Sequence, residues 1–197
     1  MFHVLRTTDQ DSQEILDLMH HLRWQRFHQE MGWRTGLQVK GDKEYDEYDD
    51  HDAVYLVRVE TDGRVSACAR LRSTTTRYMI ADHYAAHLYL GPSPREPLLW
   101  EISRFCWDTN TDQPGIRQLF LACLEYGVTQ GLNGFLALAT LKIVIIPRRI
   151  GWPFERIGGP WGEGAEESQI IRYTVTPEVL EQARGRCGME GSLFLAG

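Results

Sequence analysis

Apolar and polar positions alternate along the chain with periods that set out its elements. Ile15, Leu18, Met19 and Leu22 recur at helical spacing, and Asp11 with Glu14 has the spacing of a capping box, so the first helix is predicted to begin near Asp11. Past Phe27, Gly32 and Gly36 open a loop rich in acids and aromatics that runs through Asp52. Two β-type runs, Ala53–Val59 and Arg64–Leu71, flank the turn signal Thr61-Asp62-Gly63 and predict a hairpin. Leu98–Trp107, dense in branched and aromatic residues, predicts another strand. Ile116, Leu119, Phe120, Cys123 and Leu124 make one stripe of a helix over Gln113–Gln130, which Gly131 stops. Phe135–Thr140 and Gln169–Val175 read as strands, and Pro177–Arg186 as a late helix with proline in its first turn. The order of elements predicts an α/β sandwich around a mostly antiparallel or mixed sheet.

Composition narrows the class. The 197 residues, 43% apolar and 24% charged, suit one compact domain over 1–197, with no repeat, linker or low-complexity tract to divide it. No apolar run approaches the roughly 20 residues that span a bilayer, and Met1–Arg6 lacks a signal-peptide pattern, so a cytoplasmic protein away from membranes is expected. Cys68, Cys106, Cys123 and Cys187 are scattered and read as reduced, mostly buried thiols. The net charge of −6 argues against broad nucleic-acid binding, which needs a positive surface.

Three clusters carry candidate chemistry. Arg23 and Phe27 stand four apart on a predicted helix, followed by Gly32-Trp33 and the acidic stretch Glu44–Asp52, through which tyrosines alternate. Aromatic faces with carboxylates suit an organic cation, whereas a calcium loop would need a DxDxDG spacing that is missing. The second cluster, Arg70-Leu71-Arg72-Ser73-Thr74-Thr75, ends a strand, with Arg70 facing away from Ala69 and Leu71. The third, Trp100-Glu101-Ile102-Ser103-Arg104-Phe105, places two charges and a hydroxyl inside an apolar strand, where they must be paired, solvated in a cleft, or functional. Strict alternation puts Glu101 and Ser103 on one face and Arg104 on the other; a β-bulge would change that. His83 and His87 are spaced like ligands on a helix, but no third ligand or Glu motif joins them, so no metal is expected.

In this order and spacing the clusters resemble the acyl-homoserine-lactone synthases, the autoinducer synthases of bacterial quorum sensing. The matching positions are Arg23/Phe27, Gly32-Trp33, Glu44/Asp46/Asp49, Arg70-Leu71/Thr74-Thr75 and Trp100-Glu101/Ser103-Arg104-Phe105, over about the first 110 residues. The resemblance implies an acetyltransferase-like α/β/α sandwich with a V-shaped cleft in its sheet. It implies S-adenosylmethionine and an acyl thioester, on acyl carrier protein or coenzyme A, as substrates, with no tightly bound cofactor. The amine of S-adenosylmethionine would be acylated, and its carboxylate would then close the lactone and release methylthioadenosine.

By the same resemblance, Asp46, Asp49, Trp33 and Phe27 would hold the sulfonium and amino groups. Arg23 or Arg104 would grip the carboxylate or brace the acids, since a guanidinium forks onto a carboxylate. Glu101 is the first candidate base and Asp46 the second, Arg70 would support the acidic loop, and the Ser103–Phe105 segment would supply oxyanion donors. Ala137, Ala139 and Thr140 would line the acyl chain; Ala137 and Ala139 stand where the family often has threonines, which hints at an unsubstituted or differently decorated acyl group. Beyond them, Val144-Ile145-Ile146-Pro147 replaces the family's Glu-Arg pattern, and Pro147 is expected to break or kink a helix. Arg148, Arg149 and Arg156 would meet an acidic carrier or a pantetheine phosphate. An acetyl-coenzyme-A N-acetyltransferase is the nearest rival, but its glycine-rich pyrophosphate turn is missing, since Gln130-Gly131-Leu132-Asn133-Gly134 has the wrong spacing. A non-catalytic adenosyl-ligand sensor is the other. A hydrolase lacks a nucleophile-elbow context at Ser103.

Overall fold

The computed structural model describes every residue except 35, 90, 110–113, 163–166 and 195–197, together with all side chains among these except those of 114 and 161. In chain order the elements are β1 (Phe2–Arg6), α1 (Gln13–Arg23), β2 (Gln38–Lys40), β3 (Lys43–Tyr45), β4 (Val54–Val59), β5 (Val65–Ser73), α2 (Met79–His83), β6 (Leu99–Trp107), α3 (Pro114–Thr129), β7 (Gly134–Thr140), α4 (Leu141–Ile150), β8 (Phe154–Trp161), β9 (Ser168–Thr174) and α5 (Pro177–Cys187). Seven strands form one sheet in the order β1-β4-β5-β6-β7-β9-β8, antiparallel except for the β6–β7 pair. This is the mixed, mostly antiparallel α/β/α sandwich expected of an acetyltransferase-like fold.

Period-2 patterning decides which side chains meet which layer. On β4 and β5, Val54, Leu56, Ala67, Ala69 and Leu71 join the core beneath α3, while Tyr55, Val57 and Cys68 join the core beneath α1. Arg70 and Arg72 share the parity of Cys68, so two fully buried guanidinium groups lie on the α1 side. Thr176 caps α5 by accepting the Val179 N–H at 3.2 Å, ahead of Pro177.

The parallel rungs of β6 and β7 run from Leu99–Gly134 to Ile102–Ala137. Beyond them β6 follows β5 to Trp107, and β7 follows β9 to Thr140. The two strands therefore part and leave a V-shaped opening lined by Ser103–Phe105 on one side and Leu138–Thr140 on the other.

Three sequence expectations are corrected. A short 3-10 turn, Gln10–Ser12, precedes α1, and no side-chain capping bond forms there; Asp9 instead accepts the Arg6 N–H at 2.7 Å. The segment expected to be loop from Gly32 to Asp52 contains the β2–β3 hairpin. Pro147 does not break α4, which runs continuously through it from Leu141 to Ile150. Proline removes one N–H donor, the one that would have met Ile143, and the Pro147 carbonyl is itself used, accepting the Trp152 N–H at 2.9 Å.

Candidate active site

Three elements converge on the α1 side of the sheet, and each delivers charge for a local reason. Arg23 is the last residue of α1, and the chain continues as a π-helical turn over Trp24–Glu30, with Met31 N–H reaching back to the Arg26 carbonyl. That wider turn carries Phe27, and Trp33 returns to it: its N–H donates to the Phe27 carbonyl at 2.9 Å, and the rings stack at 5.0 Å between centroids. The acidic segment then folds over the sheet, with Asp46 N–H donating to Asp49 and Tyr48 N–H to Asp46, each at 2.8 Å.

The sheet contributes Arg70 from β5 and Arg104 from β6. Cys68 registers with Cys106 and Arg70 with Ser103, so two β6 residues oppose one on β5. Arg104 lies in that bulge at φ 48°, a left-handed conformation unusual for a non-glycine residue. The bulge resets the alternation. Arg104 turns to the acidic segment alongside Ser103, and Phe105 turns to the α3 side, where its ring packs 4.4 Å from that of Phe120. Phe105, expected near the S-adenosylmethionine site, therefore lines the opposite face at the V-shaped opening.

Three arginines and three acids interlock. Arg23 donates Nε to Glu44 at 2.5 Å and both terminal nitrogens to Asp49 at 2.8 Å. Arg70 forks onto Asp46, also reaches Asp49 at 2.9 Å, and gives Nε to Ser103 Oγ at 3.1 Å. Arg104 bridges Glu44 at 3.1 Å and Asp46 at 2.6 Å, with its guanidinium 5.8 Å from the Phe27 ring centre. These charges cancel, as burial at this depth requires. Burial pushes the Asp46 carboxyl up, but the bonds and charges of Arg70 and Arg104 outweigh it and hold it below its ordinary value. Asp49, opposed by burial and favoured by Arg23 and Arg70, is held well below.

Glu101 stands apart from this network. It is fully buried and accepts the Met79 and Ile80 N–H groups at 3.3 and 2.8 Å, tying the start of α2 to the sheet. Burial raises its carboxyl to about 7, against the opposing pull of those N–H groups, Arg70 and Arg72. His83 meets Glu47 at 3.1 Å instead of pairing with His87, and no metal-holding cluster of His, Cys, Asp or Glu occurs among the described residues.

Several site residues escaped the sequence reading. Tyr55 donates to Asp49 at 2.8 Å. His20 is buried, stacks 4.0 Å from Tyr45 and bonds the Glu44 carbonyl at 2.8 Å; burial first, then Arg23, lowers it to about 4, so it is neutral and donates from Nδ1. Tyr48 has Arg70, Arg72 and Arg77 within 6 Å of its ring. Tyr55 is the cross-strand partner of Arg70, and Arg72 follows Arg70 by one strand period; those spacings were the available signals.

On the other face, Ala137 and Ala139 belong to the core beneath α3 and α4 with Ile102, Phe120 and Trp152. Thr140 precedes α4, and its hydroxyl makes no capping bond. The polar site and this apolar wall lie on opposite faces of the sheet, joined where β6 and β7 part.

Comparison with known proteins agrees with this arrangement. The model of the autoinducer synthase family matches residues 7–182. An acyl-homoserine-lactone synthase of Ralstonia nicotianae is 31% identical over 139 residues, 66% of this chain and 68% of that protein. One from Aliivibrio fischeri is 32% identical over 143 residues, 70% and 73% of the two. Among solved structures, the CoA-dependent acyl-homoserine lactone synthase BjaI, with SAM and isopentyl-CoA, superposes with TM-score 0.88 at 25% identity, covering 97% of this chain and 90% of that one. A putative N-acetyltransferase from Lactobacillus plantarum shares the fold more distantly, at TM-score 0.58 and 15% identity over 89% of this chain and 99% of that one. With its buried arginine–carboxylate site and its parted strands, the chain belongs to the autoinducer synthase family, the acyl-homoserine-lactone synthases.

Proposed function

We propose that S-adenosylmethionine occupies the Arg23–Arg70–Arg104 site and that the acyl thioester enters where β6 and β7 part. The observation that carries this reading is the Arg104 bridge to Glu44 and Asp46. Its side chain is 9% exposed, whereas those of Arg23 and Arg70 are fully covered, so it is the guanidinium an incoming carboxylate reaches. That carboxylate competes with Asp46 for Arg104. The released Asp46 then faces the ammonium, and the Phe27–Trp33 stack flanks the sulfonium.

Acylation needs the free amine, so one proton must leave the ammonium. Glu101 takes it, directly or through one water, because its raised carboxyl matches that task better than the strongly paired Asp46. The amine nitrogen attacks the thioester carbonyl, the C–N bond forms, the C–S bond breaks, and the thiolate leaves and takes up a proton. Backbone N–H groups of Ser103–Phe105 serve the oxyanion, a role supported by their position beyond the last β6–β7 rung and by the Arg70 bond to Ser103. The substrate carboxylate oxygen next attacks the γ-carbon. A C–O bond forms as the C–S⁺ bond breaks, and neutral methylthioadenosine leaves with the electron pair.

The acyl group lies against Ala137 and Ala139, with Phe105 on the facing side, while Thr140 has the parity of Leu138 and faces the other side of the sheet. Coenzyme A or acyl carrier protein presents it to the exposed Arg148 and Arg149 and to Arg156. The structure of the CoA-dependent synthase BjaI with SAM and isopentyl-CoA supports the first of these carriers. Residues 1–197 work as one synthase domain in the cytoplasm, with no tightly bound cofactor and no nucleic-acid or membrane partner; no described helix is long and apolar enough to cross a membrane. Mass spectrometry of reactions with S-adenosylmethionine and a panel of acyl thioesters on both carriers tests the proposal. An acyl-homoserine lactone with equimolar methylthioadenosine supports it, and folded protein yielding neither with any donor overturns it.

A further inference from the structure

Among the described residues, the apolar face beneath α3 and α4 carries a polar atom that its surroundings do not use. Tyr173 on β9 is 1% exposed, and its hydroxyl finds no hydrogen-bond partner among the described residues. A buried hydroxyl left unpaired costs about 1–3 kcal/mol, and such groups are uncommon in native interiors. Cys123 on α3 is a neighbour, but its thiol is a weak acceptor and makes no bond to this group. Phenylalanine would fill the same space without that penalty, so the hydroxyl calls for a partner that the described residues do not supply.

A line of rings places it relative to the cleft. Phe105, at the parting of β6 and β7, packs 4.4 Å from Phe120; Phe120 meets Trp152 at 6.2 Å; Trp152 lies 4.7 Å from Tyr173. Trp152 is held in place by donating its indole N–H to the Thr174 carbonyl at 2.7 Å. Ala137 pairs with Ile171 and Phe135 with Tyr173, so Tyr173 lies roughly 7 Å back from the rung where the cleft begins, level with the paired part of β6 and β7. An acyl chain that follows this wall inward from the thioester reaches Tyr173 beyond its third carbon. Ala137 and Ala139 leave the nearer part of the wall without hydroxyls.

We propose that Tyr173 is a specificity-determining residue for the acyl donor. Its hydroxyl hydrogen-bonds an oxygen on the acyl chain beyond the third carbon, so this synthase prefers donors oxygenated at that depth to plain or 3-oxo ones. The inference rests on the proposed acyl site.

The test is a ladder of C4 to C10 acyl thioesters, plain or hydroxylated at successive carbons from C3 outward, each on coenzyme A and on acyl carrier protein. Wild type and Tyr173→Phe are compared by kcat/KM from methylthioadenosine release. One hydroxylated position beyond C3 is expected to exceed its plain counterpart about tenfold in wild type, the equivalent of one net hydrogen bond. That ratio is expected to fall to near one in Tyr173→Phe, whose melting temperature is expected to be at or above that of wild type because the unpaired hydroxyl is gone. Three results would overturn the proposal: no preferred hydroxylated position in wild type, an unchanged ratio in the variant, or a lower melting temperature with an unaltered donor profile, which would assign the hydroxyl to a buried water. Wild type that releases no methylthioadenosine with any donor would instead remove the synthase reading on which the inference rests.

Discussion

The Arg104 guanidinium meets Glu44 at 3.1 Å because Arg104 is the extra residue of a β-bulge. Without the bulge, alternation would aim it at α3, on the face where Phe105 packs against Phe120. A residue held at φ 48° persists where its surroundings over-determine it, and here Glu44, Asp46 and the Gly36 carbonyl all hold the side chain.

Arg104→Lys keeps the charge and loses the fork. One charge-assisted hydrogen bond contributes about 1.5–3 kcal/mol, so KM for S-adenosylmethionine is expected to rise about tenfold to a hundredfold while far-UV circular dichroism is unchanged. Initial-rate measurements at saturating acyl donor check this. An unaltered KM would mean that the substrate carboxylate goes elsewhere.

Glu101, raised to about 7, must be ionised to accept the proton. Activity is therefore expected to climb with pH through about 7, falling close to tenfold per unit on the acid side. Glu101→Gln is expected to fold, lose most of its turnover and lose that acid limb. The same shift sets a stability trend. Between 4.5 and about 7 the folded protein holds this proton and the unfolded chain does not, so the contribution of Glu101 to stability declines as pH rises through that window. A pH–rate profile for both proteins decides the assignment, and full activity in Glu101→Gln would remove it from the mechanism.

His20 acts in the opposite sense. Its folded value of about 4 lies below the ordinary 6.5, so between those values the unfolded chain binds the extra proton and folding weakens as pH falls. At about 1.4 kcal/mol per pH unit, the full effect is about 3 kcal/mol. Urea midpoints taken from pH 7 to 4 are expected to drop for wild type and to stay flatter for His20→Gln. Parallel slopes would show that other groups carry the acid sensitivity.

Much of this site was legible in the sequence, and the parts that were not have identifiable causes. Charges inside Trp100–Phe105 and the tyrosine-laced acidic run are legible because burial of charge demands a partner. The direction of Arg104 was not legible, since alternation cannot register one inserted residue. Tyr55 escaped because a tyrosine in a run of valines and leucines reads as core, and only its register opposite Arg70 reveals the bond to Asp49. Helix α4 was obscured by Pro147, whose missing donor removes one bond of a helix otherwise anchored by burial of Val144, Pro147 and Ile150.

Ala137 lies on the last shared rung of β6 and β7, beside Ile102 and Ile171. Ala137→Thr places a hydroxyl at the mouth of the apolar wall, and use of 3-oxo donors relative to plain ones is expected to rise about five- to tenfold. Competition between paired donors, read by product mass, measures it. An unchanged ratio would retire Ala137 from the acyl pocket.

Asp49 and Asp52 make the role of burial testable with one chemical change. Asp49 accepts from both terminal nitrogens of Arg23, from Arg70, from the Tyr55 hydroxyl and from the Asp46 N–H, and its side chain is 3% exposed. Asparagine there would offer one acceptor in place of two and point an NH₂ at a guanidinium, leaving buried positive charge uncompensated. Breaking a buried pair in this way costs about 3–5 kcal/mol. Asp52 faces Arg72 at 3.7 Å with 36% of its side chain exposed, where water screens the pair and the expected loss is under about 1 kcal/mol. Urea unfolding of Asp49→Asn and Asp52→Asn should separate them by several kcal/mol at neutral pH. Added S-adenosylmethionine should stabilise Asp52→Asn as it does wild type, and Asp49→Asn far less, because the network that orients Arg70 and Arg23 is broken. Equal losses in the two variants would mean that the network is solvated in solution, and its use as a preorganised substrate site would fall with it.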